Sequence, residues 1–191
     1  IDKFGLKIIH NDAAIISHKS LKPLFKNNEY TDLRLLDWNE KSAITLNGIN
    51  VKITAIPAIH AKKVLFSSII GNGNGYLLQI IKDNSEYTIY VTGDSVFYKK
   101  INKNLNISDI DLIIANSGSA MVGKSILSKF IGRITNNSND IIAMNSDLNP
   151  KIIIPVHWGT FTHYSESITS ETFSKHSNIK VINAGEHIIL S

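Results

Sequence analysis

Three short segments bring chemically useful side chains to the ends of apolar runs. Tyr90-Val91-Thr92-Gly93-Asp94-Ser95 carries an apolar strand into a glycine turn and presents a carboxylate at the strand end. Thr54-Ala55-Ile56-Pro57-Ala58-Ile59-His60 closes on a proline-stiffened corner and an imidazole. Ile152-Ile153-Ile154-Pro155-Val156-His157-Trp158-Gly159-Thr160-Phe161 repeats that pattern with a second histidine. Each corner alone has an ordinary explanation, because Asp and Gly form turns readily and a histidine at a strand end is commonly a hydrogen-bonded rim residue. Two proline–histidine corners and one Gly-Asp corner in a single chain are a poor fit to separate accidents. Carboxylate oxygen and imidazole nitrogen are the donors a divalent metal takes, and a chain with no cysteine has no thiolate to offer instead.

The elements that must position these groups are mostly strands. Short β-branched apolar runs separated by turn residues predict strands at residues 13–17, 33–36, 51–56, 75–81, 87–92, 112–116, 152–157, 180–182 and 187–190. A further strand at 43–46 would pair back onto 51–56 through the hairpin dipeptide Asn47-Gly48. Helices are fewer, at 20–26, 125–131, around 138–147, and at 167–176 with a Ser or Thr start. Several strands are apolar throughout, so helices must cover a sheet core, and the class is α/β, or α+β by some schemes. At 191 residues and 43% hydrophobic, the chain suits one domain. The 20 basic and 16 acidic residues are intermixed, which leaves a mildly basic surface with no stripe for nucleic acid. No apolar run approaches the roughly 18 residues of a membrane span, and residues 1–20 lack the parts of a signal peptide. A soluble, cytoplasmic protein is expected, its oligomeric state open.

The three corners, in this order, resemble the later motifs of the metallo-β-lactamase superfamily. The nearest branch holds the relatives of ascorbate-phosphate lactonase and N-acyl-phosphatidylethanolamine phospholipase D. Further likeness lies in Gly73-Asn74-Gly75-Tyr76, Asp111-Leu112, Asn116-Ser117-Gly118, Leu148-Asn149-Pro150-Lys151 and Gly185-Glu186, so the resemblance covers roughly residues 50–191. It implies a four-layer αβ/βα sandwich and a pair of divalent ions, zinc first, with manganese or iron as alternatives. His60 would bind the first ion, Asp94 would bridge both and His157 would bind the second. The implied reaction is hydrolysis of an ester, lactone or phosphodiester by a metal-bridging hydroxide, with Asp94, His157 and His163 around the reacting centre.

One departure matters. The superfamily's first metal motif, H-x-H-x-D-H, is absent from the sequence, and neither His10 nor His18 has neighbours at that spacing, so both are expected on the surface. We expect the chain to begin just downstream of its own first motif, as a domain truncated at its N-terminal side, with residues 1–191 lacking the early strands. Each ion would then keep two protein ligands here, fewer than the three usual for catalytic zinc, and metal binding and activity would be weak or absent. The substrate would be a small molecule, of which an anionic one is an option: Lys62 and Lys63 would give the mouth a positive rim, or be solvated lysines. His163 either assists a leaving group, binds such an anion or faces solvent. A metal-free binding or assembly module of the same fold is the alternative.

A competing motif is Gly118-Ser119-Ala120-Met121-Val122-Gly123-Lys124-Ser125, which matches the phosphate-binding G-x-x-x-x-G-K-[ST] between a strand and a plausible helix. Such a loop cradles phosphates in backbone N–H groups. Against a nucleotide-binding reading, too little chain follows Ser125 for the remaining parallel strands, and none of its apolar runs ends in Asp.

Overall fold

The computed structural model describes residues 3–26, 30–59, 72–99, 109–121, 132–159 and 164–190. A short helix α1 (Lys3–Ile8) leads into β1 (Ala14–His18), a 3-10 turn over Lys19–Phe25 and β2 (Asp32–Leu36). There follow β3 (Lys41–Leu46), β4 (Ile49–Ala58), β5 (Gly73–Lys82), β6 (Ser85–Val91), β7 (Leu112–Asn116), helix α2 (Ser138–Leu148) and β8 (Ile152–Val156). Among the described residues these strands form two sheets, a parallel pair β1-β2 and a six-stranded sheet in the order β3-β4-β5-β6-β7-β8. The latter is antiparallel from β3 to β6 and parallel from β6 to β8. The mixed sheets agree with the α/β expectation.

Local chemistry accounts for the elements. Leu46 pairs with Ile49, so the hairpin loop is the dipeptide Asn47-Gly48, and both residues take the positive φ, 50° and 78°, that a type I′ turn demands. Helix α2 opens on a capping box in which the Asn137 side chain accepts from the Asp140 N–H and the Asp140 side chain accepts from the Asn137 N–H. It closes on Asn149 in the left-handed conformation, where asparagine is tolerated. One face of the large sheet, from Ile56, Tyr90, Ile113 and Ile153, packs against Ile141 and Met144 of α2 and against Ile168, Phe173 and Ile179 of the C-terminal segment. Ile141 and Met144 lie one helical turn apart and are fully buried, each contributing about 1.5–3 kcal/mol.

The opposite face meets β1. There Ala14 and Ile16 bound, with Ile53, Tyr76, Leu78 and Val91, an apolar hollow of ≈ 280 Å³. At one end of this interface polar bonds tie the sheets together: the Tyr76 hydroxyl donates to the Ile16 carbonyl, Asn74 Nδ2 to the Leu36 carbonyl and Trp38 Nε1 to the Gly73 carbonyl.

Several expectations need correction, beginning with the helix at 20–26, which is the 3-10 turn over Lys19–Phe25 with Pro23 inside it. Residues 167–176 hold only a 3-10 turn at Ser170–Phe173. Ile168 and Phe173 both reach the core, yet five residues of helix would turn them about 140° apart, so the chain stays extended before turning. Residues 180–182 and 187–190 are irregular, with a single bridge from Ile179 to Ile153. His18 is not a surface residue: it is 5% exposed at the end of β1. Its Nδ1 accepts the Ser20 N–H at 3.0 Å and caps the 3-10 turn, which puts the ring proton on Nε2, 3.4 Å from Asp37 Oδ1. His10 is exposed as expected. The expected helix at 125–131 lies outside the described residues.

Candidate functional site

The strand directions create one convergent edge. β6, β7 and β8 are parallel, and β4 runs the same way because two antiparallel pairings separate it from β6. Their C-terminal ends therefore lie together, the usual place for a site in a sheet of this kind. β6 ends into Gly93 and Asp94, β8 into His157, and β4 into Ile59, whose carbonyl accepts the Val96 N–H at 2.9 Å. That bond ties the corner after β6 to the residue immediately before His60.

Asp94 and His157 meet across this edge. His157 Nδ1 is 3.5 Å from Asp94 Oδ1, with the two side chains 38% and 58% exposed. The approach depends on two special backbone positions. Gly93 has φ 61°, and a Cβ there would stand 2.6 Å from the Asn74 carbonyl oxygen, so only glycine fits the corner. His157 has φ 63°, a left-handed conformation that breaks the line of β8 just as the histidine is reached. The Tyr164 ring lies edge-on to the His157 ring at 5.4 Å and 76°. Burial first, and the Asp94 carboxylate second, push the Tyr164 phenol above its ordinary value.

Behind Asp94 is a buried amide network. Asn116, at the end of β7, accepts at Oδ1 from the Thr92 hydroxyl at 3.0 Å and from Asn136 Nδ2 at 2.8 Å, and donates from Nδ2 to the Ser95 carbonyl at 3.0 Å. Asn136 Oδ1 in turn accepts the Phe97 N–H. In sequence Asn116 stands out only as part of the Asn116-Ser117-Gly118 run, and Asn136 carries no signal.

Of the sequence-predicted site residues, the structure brings Asp94 and His157 together. His60 and His163, with Lys62 and Lys63, lie outside the described residues. Among the described residues no group of three or more His, Asp or Glu side chains surrounds a metal-sized space. The phosphate-loop match fares poorly where it can be followed: the Ser119 N–H is bound to the Asn136 carbonyl and the Ala120 N–H to Thr135 Oγ1. A phosphate cradle needs such amides pointing at its ligand. A Cβ on Gly118 would stand 2.9 Å from the Tyr164 ring, so this glycine serves the packing of the His157 loop. Residues 122–125, with Lys124, lie outside the described residues.

No family model and no curated protein matches the chain. Solved structures do. An isothiocyanate hydrolase from Delia radicum gut bacteria matches with TM-score 0.76 and 18% identity over 100% of this chain and 72% of its own. A possible metal-dependent hydrolase from Veillonella parvula gives 0.74 and 22% over 97% of this chain and 70% of its own. The metallo-β-lactamase fold protein YhfI from Bacillus subtilis gives 0.58 and 14% over 96% and 68%. The chain thus has a metallo-β-lactamase-like αβ fold. At these identities the likeness establishes the fold and leaves the chemistry to the residues.

Proposed function

We propose that this protein is a metal-dependent hydrolase of the metallo-β-lactamase superfamily, acting on an ester, lactone or phosphodiester. The observation that carries the reading is the pair formed by Asp94 and His157, brought within 3.5 Å at the edge where the parallel strands end. Both keep solvent access, as substrate contact requires. The names of the structural neighbours, a hydrolase of isothiocyanates and a possible metal-dependent hydrolase, support the same class.

The donor chemistry fits a divalent ion. Asp94 supplies carboxylate oxygen suited to bridging, and His157 supplies an imidazole nitrogen. His60, the next residue in sequence after Ile59, would add a second imidazole. Bound divalent ions supply Lewis acidity and acidify water for attack on a carbonyl or phosphoryl centre. The chain's own groups hold and orient. Gly93 admits the corner that presents Asp94, and the Tyr164 ring restricts the His157 imidazole from one side. His163, six residues past His157 in sequence, would meet the leaving group or an anionic part of the substrate. Zinc is the expected metal, with manganese or iron as alternatives.

The reading is tested with the chain together with any residues that precede Ile1, loaded with Zn²⁺, Mn²⁺ or Fe²⁺ and offered aryl esters, lactones and phosphodiesters. We expect turnover of at least one class that chelation abolishes and that falls by about 10²–10⁴-fold in Asp94→Asn, on the scale of losing a group that acts on the reacting centre. Turnover that survives both chelation and Asp94→Asn would overturn it.

A further inference from the structure

We propose that Asn116 and Ser117, two successive residues at the end of β7, are positioning residues that set the separation of Asp94 and His157. β7 is the strand between the two that carry those groups, flanked by β6 on one side and β8 on the other. Its last residues reach both ways. Asn116 grips the Asp94 corner before and after the carboxylate: Oδ1 accepts from Thr92 Oγ1 at 3.0 Å, Nδ2 donates to the Ser95 carbonyl at 3.0 Å, and the Asn116 N–H donates to Thr92 Oγ1 at 3.1 Å. Ser117 grips the other corner, its hydroxyl donating to the Val156 carbonyl at 2.7 Å, one residue before His157.

Both residues are withdrawn from solvent, Asn116 at 4% and Ser117 at 0% exposure. Neither is therefore a surface contact for substrate. Each uses its polar atoms on a different neighbouring corner, Asn116 on the Thr92 hydroxyl and the Ser95 carbonyl and Ser117 on the Val156 carbonyl, and asparagine is needed at 116 because the side chain must accept and donate at once. Asn136 locks the arrangement from behind, donating from Nδ2 to both the carbonyl and the Oδ1 of Asn116, at 3.0 and 2.8 Å. Groups that share ions must be held to within about 0.5 Å, and outer-shell partners of a metal site typically change affinity by about 10–100-fold when lost. The β7 end supplies such a shell to both sides of the edge. The inference rests on the reading of Asp94 and His157 as metal ligands.

The test is a stepwise Zn²⁺ titration against a chelating dye, on the wild-type chain with any residues preceding Ile1, and on Ser117→Ala, Asn116→Ala and the core variant Ile141→Val. Thermal unfolding of the metal-free forms is measured beside it. We expect two Zn²⁺ steps in the wild type. Ser117→Ala should weaken one of them by about 10-fold or more, and Asn116→Ala should weaken both, because Asp94 serves both ions. Ile141→Val should lower the unfolding midpoint with both steps intact, which separates positioning from general destabilisation. If Asn116→Ala does not fold, Ser117→Ala alone decides. Two wild-type steps that Ser117→Ala leaves within twofold would overturn the positioning role and spare the metal reading; no Zn²⁺ uptake by the wild type would overturn both.

Discussion

At Gly93 the chain turns through φ 61° with the Asn74 carbonyl oxygen 2.6 Å from where a Cβ would be. A side chain there must both enter the left-handed region and displace backbone of β5, so Gly93→Ala should lower stability by about 1–3 kcal/mol in urea unfolding. An unchanged midpoint would show that the corner relaxes freely. The turn itself was legible in the Gly-Asp dipeptide; the close approach that makes glycine obligatory was not, because Asn74 is remote in sequence. The same distance effect hid His18. Nothing near it in sequence marks it as buried, and its surroundings come from β2 and the residues that follow, where Asp37 lies 3.4 Å from Nε2 and the Trp38 ring 6.2 Å from the imidazole. Asp94 and His157 were legible for the opposite reason. His157 stands directly after a β-branched run and Asp94 one glycine beyond another, so chain direction delivers both to strand ends.

At the scale of elements, the strands with strong apolar runs appear where expected, with β7 matching its predicted span and β8 ending one residue earlier, before His157 leaves the strand. The C-terminal run at 180–182 has equally β-branched residues, yet only the Ile179–Ile153 bridge forms beside it, so propensity alone does not make a strand there. At the end of the sheet away from the site, Asp111 fastens three strands. Its Oδ2 accepts the Thr88 N–H at 2.7 Å, its carbonyl accepts the Ile152 N–H, and its Oδ1 meets Lys151 Nζ at 2.7 Å. Burial alone would raise the carboxyl, but Lys151 and the Thr88 N–H outweigh it and hold the group below its ordinary value of 3.8. A depressed carboxyl stabilises the fold above its unfolded value and ceases to do so as the pH falls through the lower folded value. Lys151→Ala should therefore lower stability near neutral pH, and only modestly because the lysine is largely exposed. The gap from wild type should close as the pH drops from about 5 to below 3.8. An equal gap at both ends of that range in urea unfolding would contradict this assignment.

For the molecule as a whole, the alternation of strands and few helices was enough to indicate a sheet core with helical cover, and the mixed six-stranded sheet under α2 agrees with it. The parallel pairing of β1 with β2, and the polar bonds that fasten it to β5, were not legible, because they join side chains to carbonyls across long stretches of chain. The fold brings Asp94 and His157 to one edge, which we propose holds metal. The most direct measurement is the metal content at equilibrium with Zn²⁺ of the chain with any residues that precede Ile1, compared with the same protein carrying Asp94→Ala. Two ions per chain are expected in the wild type, and loss of both, or a large fall in affinity, in the variant. No bound ion in the wild type, or equal binding by the variant, would contradict it.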